Sequence, residues 1–123
     1  LPYFRKIFDS TGAKVRFLHN DADGLITAKN LREMGVNVFN FSFNHSLGEI
    51  QELAGSDIIL VGNIPPRDVM SAGTPVQVEE AVRKARGETT DYDRIIWSVG
   101  GGMAPDVKDE NIIAFIKAVK EIG

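Results

Sequence analysis

The chain has no cysteine, only two histidines and one tryptophan among 123 residues. The missing thiols exclude a disulfide framework and every thiolate metal site, and they suit a reducing compartment. Any imidazole chemistry must come from His19 or His45. No apolar run approaches the roughly 18 residues needed to cross a bilayer, since the longest are strand-sized pieces such as Ile58 to Val61. Nothing at the start reads as a secretory leader. Charge of one sign is also scarce. Against 17 acidic residues stand 14 basic ones, a formal net charge of -3, so no basic footprint for nucleic acid or an anionic membrane stands out. These absences predict a cytoplasmic protein with neither nucleic acid nor membrane as a partner. The length allows a single core at most. The chain opens with Leu1 rather than Met, inside what reads as a helix, which predicts a fragment of something longer.

What is present alternates between two periodicities. Tyr3, Phe4, Ile7 and Phe8 fall at helical spacing, and Gly12 closes that helix. Lys14 to His19 is a short β-prone run. After the loop Asn20 to Gly24, Leu25 to Met34 predicts a helix with Leu25, Ala28 and Leu31 on one face and Gly35 as terminator. Val36 to Phe43 predicts a second strand, with Phe39, Phe41 and Phe43 on a face that would pack on helices, while Val38, Asn40 and Ser42 fill the other. Ser46 and Glu49 have capping-box spacing ahead of Leu47, Ile50 and Leu53, a helix that ends at Gly55. Ile58 to Gly62 is fully apolar, as strands buried on both faces are.

Asn63 to Thr74 is a loop with a helical turn at Arg67 to Ser71. Thr74 as N-cap, Pro75 as first helical residue and Gln77 as reciprocal cap start the next helix, which Gly87 would end. Arg94 to Val99 is the fourth strand, with Trp97 in the core. Gly100, Gly101 and Gly102 follow, and a last helix from Asp106 or Asp109 to Ile122 would bury Ile112, Phe115, Ile116 and Val119. Four strand and helix units in alternation imply parallel strands, half of an eight-unit barrel. The same order would also fit an open doubly wound sheet, but the opening helix has no strand before it to pack on.

Parallel α/β folds carry their chemistry at the strand C-termini. There this sequence places His19, Asn20, Asp21 and Asp23, then Ser42, Asn44 and His45, then Asn63, Arg67 and Asp68, then Ser98 and the glycines. His19 and Asp21, two apart at an extended strand end, can offer an imidazole and a carboxylate to one ligand or metal. The same pair also fits a structural role, with Asp21 or Asp23 capping the next helix. His45 reads as a loop residue beside the Ser46 cap. The glycine turn lets backbone approach a ligand closely, and it equally suits a tight strand-to-helix connection.

Leu1-Pro2-Tyr3, His19-Asn20-Asp21, Val61-Gly62-Asn63, Gly73-Thr74-Pro75 and Gly100-Gly101-Gly102-Met103-Ala104-Pro105-Asp106 together resemble the C-terminal part of the uroporphyrinogen decarboxylase family, over essentially the whole chain. That family includes porphyrinogen decarboxylases and cobamide-dependent methyltransferases, both (β/α)8 barrels. The resemblance implies a parallel (β/α)4 C-terminal half of a TIM barrel, the N-terminal half lying outside this chain. In the methyltransferase branch a zinc ion is held by a His-x-Cys motif and a second cysteine. Here His19 matches the histidine, Asp21 stands for the first cysteine and Gly101 for the second, so zinc-thiolate activation is not expected. Zinc or another divalent ion on His19, Asp21 and a residue from the other half is what the resemblance leaves. In the decarboxylase branch a histidine that contacts the tetrapyrrole occupies the place of Gly101. Asn63-Ile64-Pro65-Pro66 and Gly73-Thr74-Pro75 look closer to the methyltransferase-like members.

The expectation drawn from the resemblance is methyl transfer between a corrinoid carried by a partner protein and a small acceptor or donor. His19 and Asp21 would hold a metal or polarise the substrate, Asn63 and Ser98 would line the mouth, and Gly100, Gly101 and Gly102 would make room for the cofactor. The alternative is metal-free decarboxylation of uroporphyrinogen to coproporphyrinogen, a tetrapyrrole substrate. A non-catalytic binding module is the third reading, suggested by the missing side chain at Gly101. The segment alone is expected to be inactive, and its two open sheet edges predict a homodimer.

Overall fold

Four short runs rich in β-branched and aromatic residues pair side by side in the order in which they occur. The computed structural model describes residues 2–20, 24–89 and 91–122. Helix α1 (Pro2–Thr11) precedes β1 (Phe17–His19), α2 (Leu25–Met34), β2 (Val38–Asn40), α3 (Leu47–Ala54), β3 (Ile59–Ile64), α4 (Pro75–Glu88), β4 (Ile95–Val99) and α5 (Asp109–Ile122). A wide helical turn, Pro66–Ser71, follows β3, and a single tight turn, Tyr92–Arg94, leads into β4. The sheet order is β1-β2-β3-β4 and every neighbouring pair is parallel. No described helix is long and apolar enough to cross a membrane.

The register assigns each strand residue to a face. Leu18, Phe39, Leu60 and Ile95 lie in one row across the sheet. Phe39 and Leu60 are fully buried in that row, packed with Ala28, Leu31, Ile50, Val78 and Val82 of the helices. The next row, His19, Asn40, Val61 and Ile96, points to the opposite face by the two-residue period of a strand. On that second face Phe17, Ile59 and Ile96 are 50%, 37% and 52% exposed. Helices cover one face and leave the other partly open, with Val38 and Asn40 buried at its centre, as in the wall of a (β/α)8 barrel whose interior needs strands from elsewhere.

Sequence start signals set the helices. The Ser46 hydroxyl accepts from the Glu49 amide at 3.1 Å, and Thr74 and Gln77 cap each other, with amide-to-side-chain distances of 2.9 and 3.3 Å. Several expectations are corrected. The third strand runs Ile59–Ile64 and takes in Asn63, and it is not buried on both faces, since Ile59 is exposed. Gly87 does not end α4, which continues to Glu88. The stop comes from Thr89, whose amide and hydroxyl both donate to the Arg86 carbonyl. The buried stripe of α5 is Asn111, Ala114 and Ala118, while Ile112, Phe115 and Val119 flank it half-buried and Ile116 is exposed. Small residues let α5 approach its neighbours closely, and the Asn111 amide donates to the Met70 and Gly73 carbonyls at 2.9 and 2.8 Å. The Phe39, Phe41 and Phe43 stripe stops at Phe41: those two rings stack at 5.7 Å, but Phe43 lies beyond the end of β2 and is exposed. Trp97 packs against the core without being fully buried.

Gly48 sits where the start of α3 meets the Glu88 carbonyl, with no space for a Cβ. A Cβ at Gly87 meets nothing within 4 Å. Gly48→Ala should therefore lower stability by about 1–3 kcal/mol through overpacking. Gly87→Ala, inside a helix, should raise it by about 0.5–1 kcal/mol. Urea unfolding midpoints measured on both variants check the two signs.

Candidate functional site

The barrel-facing side of the sheet divides along its length. Near the strand starts it is apolar, with Phe17, Val38 and Ile59 in one row. At the C-terminal ends stand His19, Asn40, Asn63 and Ser98. Asn63 and Ser98 are register partners, two residues beyond Val61 and Ile96. The parallel sheet thus brings His19, Asn63 and Ser98, all expected at the mouth, to one rim.

Asn40, which the sequence reading passed over, lies at the centre of this group and is 4% exposed. Its Oδ1 is 2.6 Å from His19 Nδ1. Its Nδ2 donates to the Val61 carbonyl at 2.7 Å and to the Val99 carbonyl at 3.3 Å. One side chain therefore links the ends of four strands. The signal in the sequence was parity: Asn40 interrupts the aromatic residues Phe39 and Phe41 and shares a register position with His19.

The neighbouring polar residues organise loops. The Asn20 amide continues the β1 and β2 pairing by donating to the Asn40 carbonyl at 3.0 Å, and its side chain donates to Thr27 Oγ1 at 3.0 Å. Asn63 Nδ2 donates to the His45 carbonyl at 2.6 Å, holding the loop between β2 and α3 against β3. His45 pairs with Glu49 at 3.1 Å on its own helix start, which suits the loop role expected for it. Asp21 and Asp23 lie outside the described residues, and the N-cap position of α2 is Gly24.

The three glycines after β4 have different reasons to be glycine. The Gly100 amide extends the sheet by donating to the Ile64 carbonyl at 3.0 Å, and a Cβ there would stand 2.6 Å from the Phe43 amide nitrogen. Gly101 has φ 89°, in the left-handed region. A Cβ on Gly102 would meet nothing within 4 Å. Gly100 and Gly102 border a cleft of about 340 Å³ with Ser42, Phe43, Pro66, Arg67 and Asp68. A second cleft of about 400 Å³ opens behind Asn63, between the His45 loop and Lys84 and Glu88 of α4.

Among the described residues no group of three His, Cys, Asp or Glu side chains is placed to hold a metal ion. His19 is one nitrogen donor, and Asp21, its expected companion, lies outside the described residues.

The profile of the uroporphyrinogen decarboxylase (URO-D) family matches residues 1–122. A uroporphyrinogen decarboxylase of Dichelobacter nodosus is 25% identical over 123 residues, all of this chain and 35% of the relative. One from Magnetococcus marinus is 25% identical over 95 residues, 77% of this chain and 26% of the relative. Among solved structures, a methyltransferase from Methanosarcina mazei superimposes with a TM-score of 0.83 at 21% identity, over 98% of this chain and 34% of that one. The chain therefore spans about a third, or less, of the curated relatives' length. The structural likeness carries the fold, a four-unit segment of a (β/α)8 barrel.

The glycine turn separates into testable parts. Gly100→Ala forces the rim strand away from Phe43 and should cost about 1–3 kcal/mol. Gly102→Ala should stay within about 0.5 kcal/mol of the parent. Equal midpoints for the two variants in chemical denaturation would contradict this division.

Proposed function

Since the chain belongs to the uroporphyrinogen decarboxylase family, we propose that it forms the C-terminal rim of a barrel enzyme that moves a methyl group between a small substrate and a corrinoid carried by a partner protein. The observation that carries this reading is the pairing of an imidazole at the rim with a turn that has no side chains. His19, tied to Asn40, faces the same mouth as Gly100, Gly101 and Gly102. Where the decarboxylase branch places a histidine against its tetrapyrrole, this chain has Gly101, with φ 89°. A rim without a side chain there leaves space for a wide planar cofactor to approach.

Methyl transfer changes the charge on the heteroatom that gains or loses the methyl group. A positioned acid or base at that atom lowers the barrier by supplying or removing a proton. In this reading His19 serves that role, with Asp21 beside it in sequence. Asn63 fixes the loop that borders the mouth, and Ser98 contributes a hydroxyl to its wall.

The second reading is decarboxylation of uroporphyrinogen. The names of the curated relatives favour it. It uses the same rim, with His19 or Asp21 near the pyrrole nitrogens and the remaining acids contributed by the rest of the barrel.

The two are separated by giving the full-length protein a methylated corrinoid protein together with small thiol and amine acceptors in one assay, and uroporphyrinogen in another. The expected result is a change in the corrinoid absorption spectrum, with turnover about 10²-fold lower in His19→Ala. Accumulation of coproporphyrinogen with an unchanged corrinoid spectrum would establish the second reading instead.

A further inference from the structure

We propose that the cleft beside the glycine turn binds a small zwitterion, with Arg67 taking its carboxylate and Asp68 and Phe43 taking a methylated ammonium group. The cleft has a volume of about 340 Å³, enough for a small molecule. Arg67 and Asp68 are consecutive, both are exposed and both border it. Among the described residues neither side chain forms an ion pair or a hydrogen bond, with the other or with any neighbour. Ser42 is 7% exposed, and its oxygen accepts from the Asn44 amide at 3.4 Å while its proton has no described acceptor. The amide of Gly102, which also borders the cleft, likewise donates to no described residue.

An open guanidinium fork offers paired N–H donors that match the two oxygens of a carboxylate. The Ser42 hydroxyl and the Gly102 amide add donors to the same cleft. Asp68 is the group that decides the class of ligand. A simple anion drawn to Arg67 would meet the like charge of Asp68, and a simple cation drawn to Asp68 would meet Arg67. A molecule that carries both charges satisfies both. Phe43 is 42% exposed and borders the same space. An aromatic ring attracts an ammonium group, and methyl groups on the nitrogen bury apolar surface against it. The turn keeps Phe43 close, since a Cβ on Gly100 would stand 2.6 Å from the Phe43 amide nitrogen. The use of this molecule as the small substrate of methyl transfer rests on the function proposed above, while its binding does not.

The test is isothermal titration calorimetry of the full-length protein with three probes. Glycine betaine carries both charges, the anion of tert-butylacetic acid has carbon in place of the nitrogen, and tetramethylammonium lacks the carboxylate. Glycine betaine should bind, and each of the other two should bind about tenfold more weakly or worse. Arg67→Gln and Asp68→Asn should each weaken glycine betaine about tenfold, and Arg67→Lys, which keeps the charge without the fork, should weaken it less. Both residues are exposed, so the variants should keep the parent's unfolding midpoint. Absence of binding heat with glycine betaine overturns the proposal. Equal binding of the tert-butylacetic anion overturns it too, and so does an unchanged affinity in either Arg67→Gln or Asp68→Asn. Binding that needs both residues, in an enzyme that leaves the corrinoid spectrum unchanged, would remove the proposed reaction and leave the site standing. A corrinoid response without zwitterion binding would remove the site alone.

Discussion

Parallel pairing in a single register is the constraint from which the rest of this structure follows. With β1, β2, β3 and β4 all running the same way, every strand delivers its last residues to one rim. Helices return the chain on one face only, so the two faces of the sheet have different environments. Phe39 and Leu60 are sealed beneath helices, whereas Phe17, Ile59 and Ile96 stand open on the other side. That open face is apolar where a closed barrel would bury it and becomes polar only at the mouth. Polar groups are tolerated in a barrel wall only where they find partners or water, and the strand ends offer both.

Asparagine is the residue this fold uses to join its loops to its strands. Asn40 donates to carbonyls on β3 and β4 while its oxygen holds His19. Asn63 donates to the His45 carbonyl in the loop after the adjacent β2, and Asn111 ties the connection after β3 to α5 through Met70 and Gly73. At the opposite end of the sheet Asn37 does the same, accepting from the Arg16 amide and donating to the Lys14 carbonyl, both at 2.7 Å. An amide can donate and accept without the desolvation cost of a charge, and Asn40 and Asn37 use both ends, whereas Asn111 only donates, its buried Oδ1 having no partner among the described residues. Where it is buried, its partners also determine its orientation, and at Asn40 that orientation reaches the ring of His19.

Local chemistry made much of the fold legible. Ser46 with Glu49 and Thr74-Pro75 with Gln77 marked helix starts that the structure forms with the expected hydrogen bonds, because capping depends on residues within one turn. Parallel strands followed from alternation, while the sequential order β1-β2-β3-β4 followed only from reading the units as part of a barrel. What was not legible depended on distant partners. The run from Lys14 to His19 reads as strand throughout, but pairing with β2 begins only at Phe17. Gly87 looks like a terminator, although the nearest real stop is the hydroxyl of Thr89. The stripe of α5 shifted to Ala114 and Ala118 because close helix packing selects small residues, a demand that hydrophobic periodicity does not record. Asn40 was placed on the partly polar face of its strand, opposite the phenylalanines, but only the register shows it meeting His19.

The turn after β4 shows how the backbone bears on the choice of chemistry. At φ 89°, Gly101 occupies a conformation that costs an L-residue roughly 1–2 kcal/mol. A histidine or cysteine placed there would have to pay that strain or rebuild the turn, and Gly100 beside it is pressed against the Phe43 amide. The absent side chain is therefore built into the path of the chain and is not a single replacement laid on an otherwise unchanged rim. Chemistry beside the turn must then come from its neighbours in the cleft, Ser42, Arg67 and Asp68, or from residues across the opening. Among the described residues of this rim, the titratable ring at the end of a strand is His19, anchored through Asn40 to the strand that leads into the glycines. The space at one edge and the imidazole at the other are thus two ends of a single hydrogen-bonded arrangement.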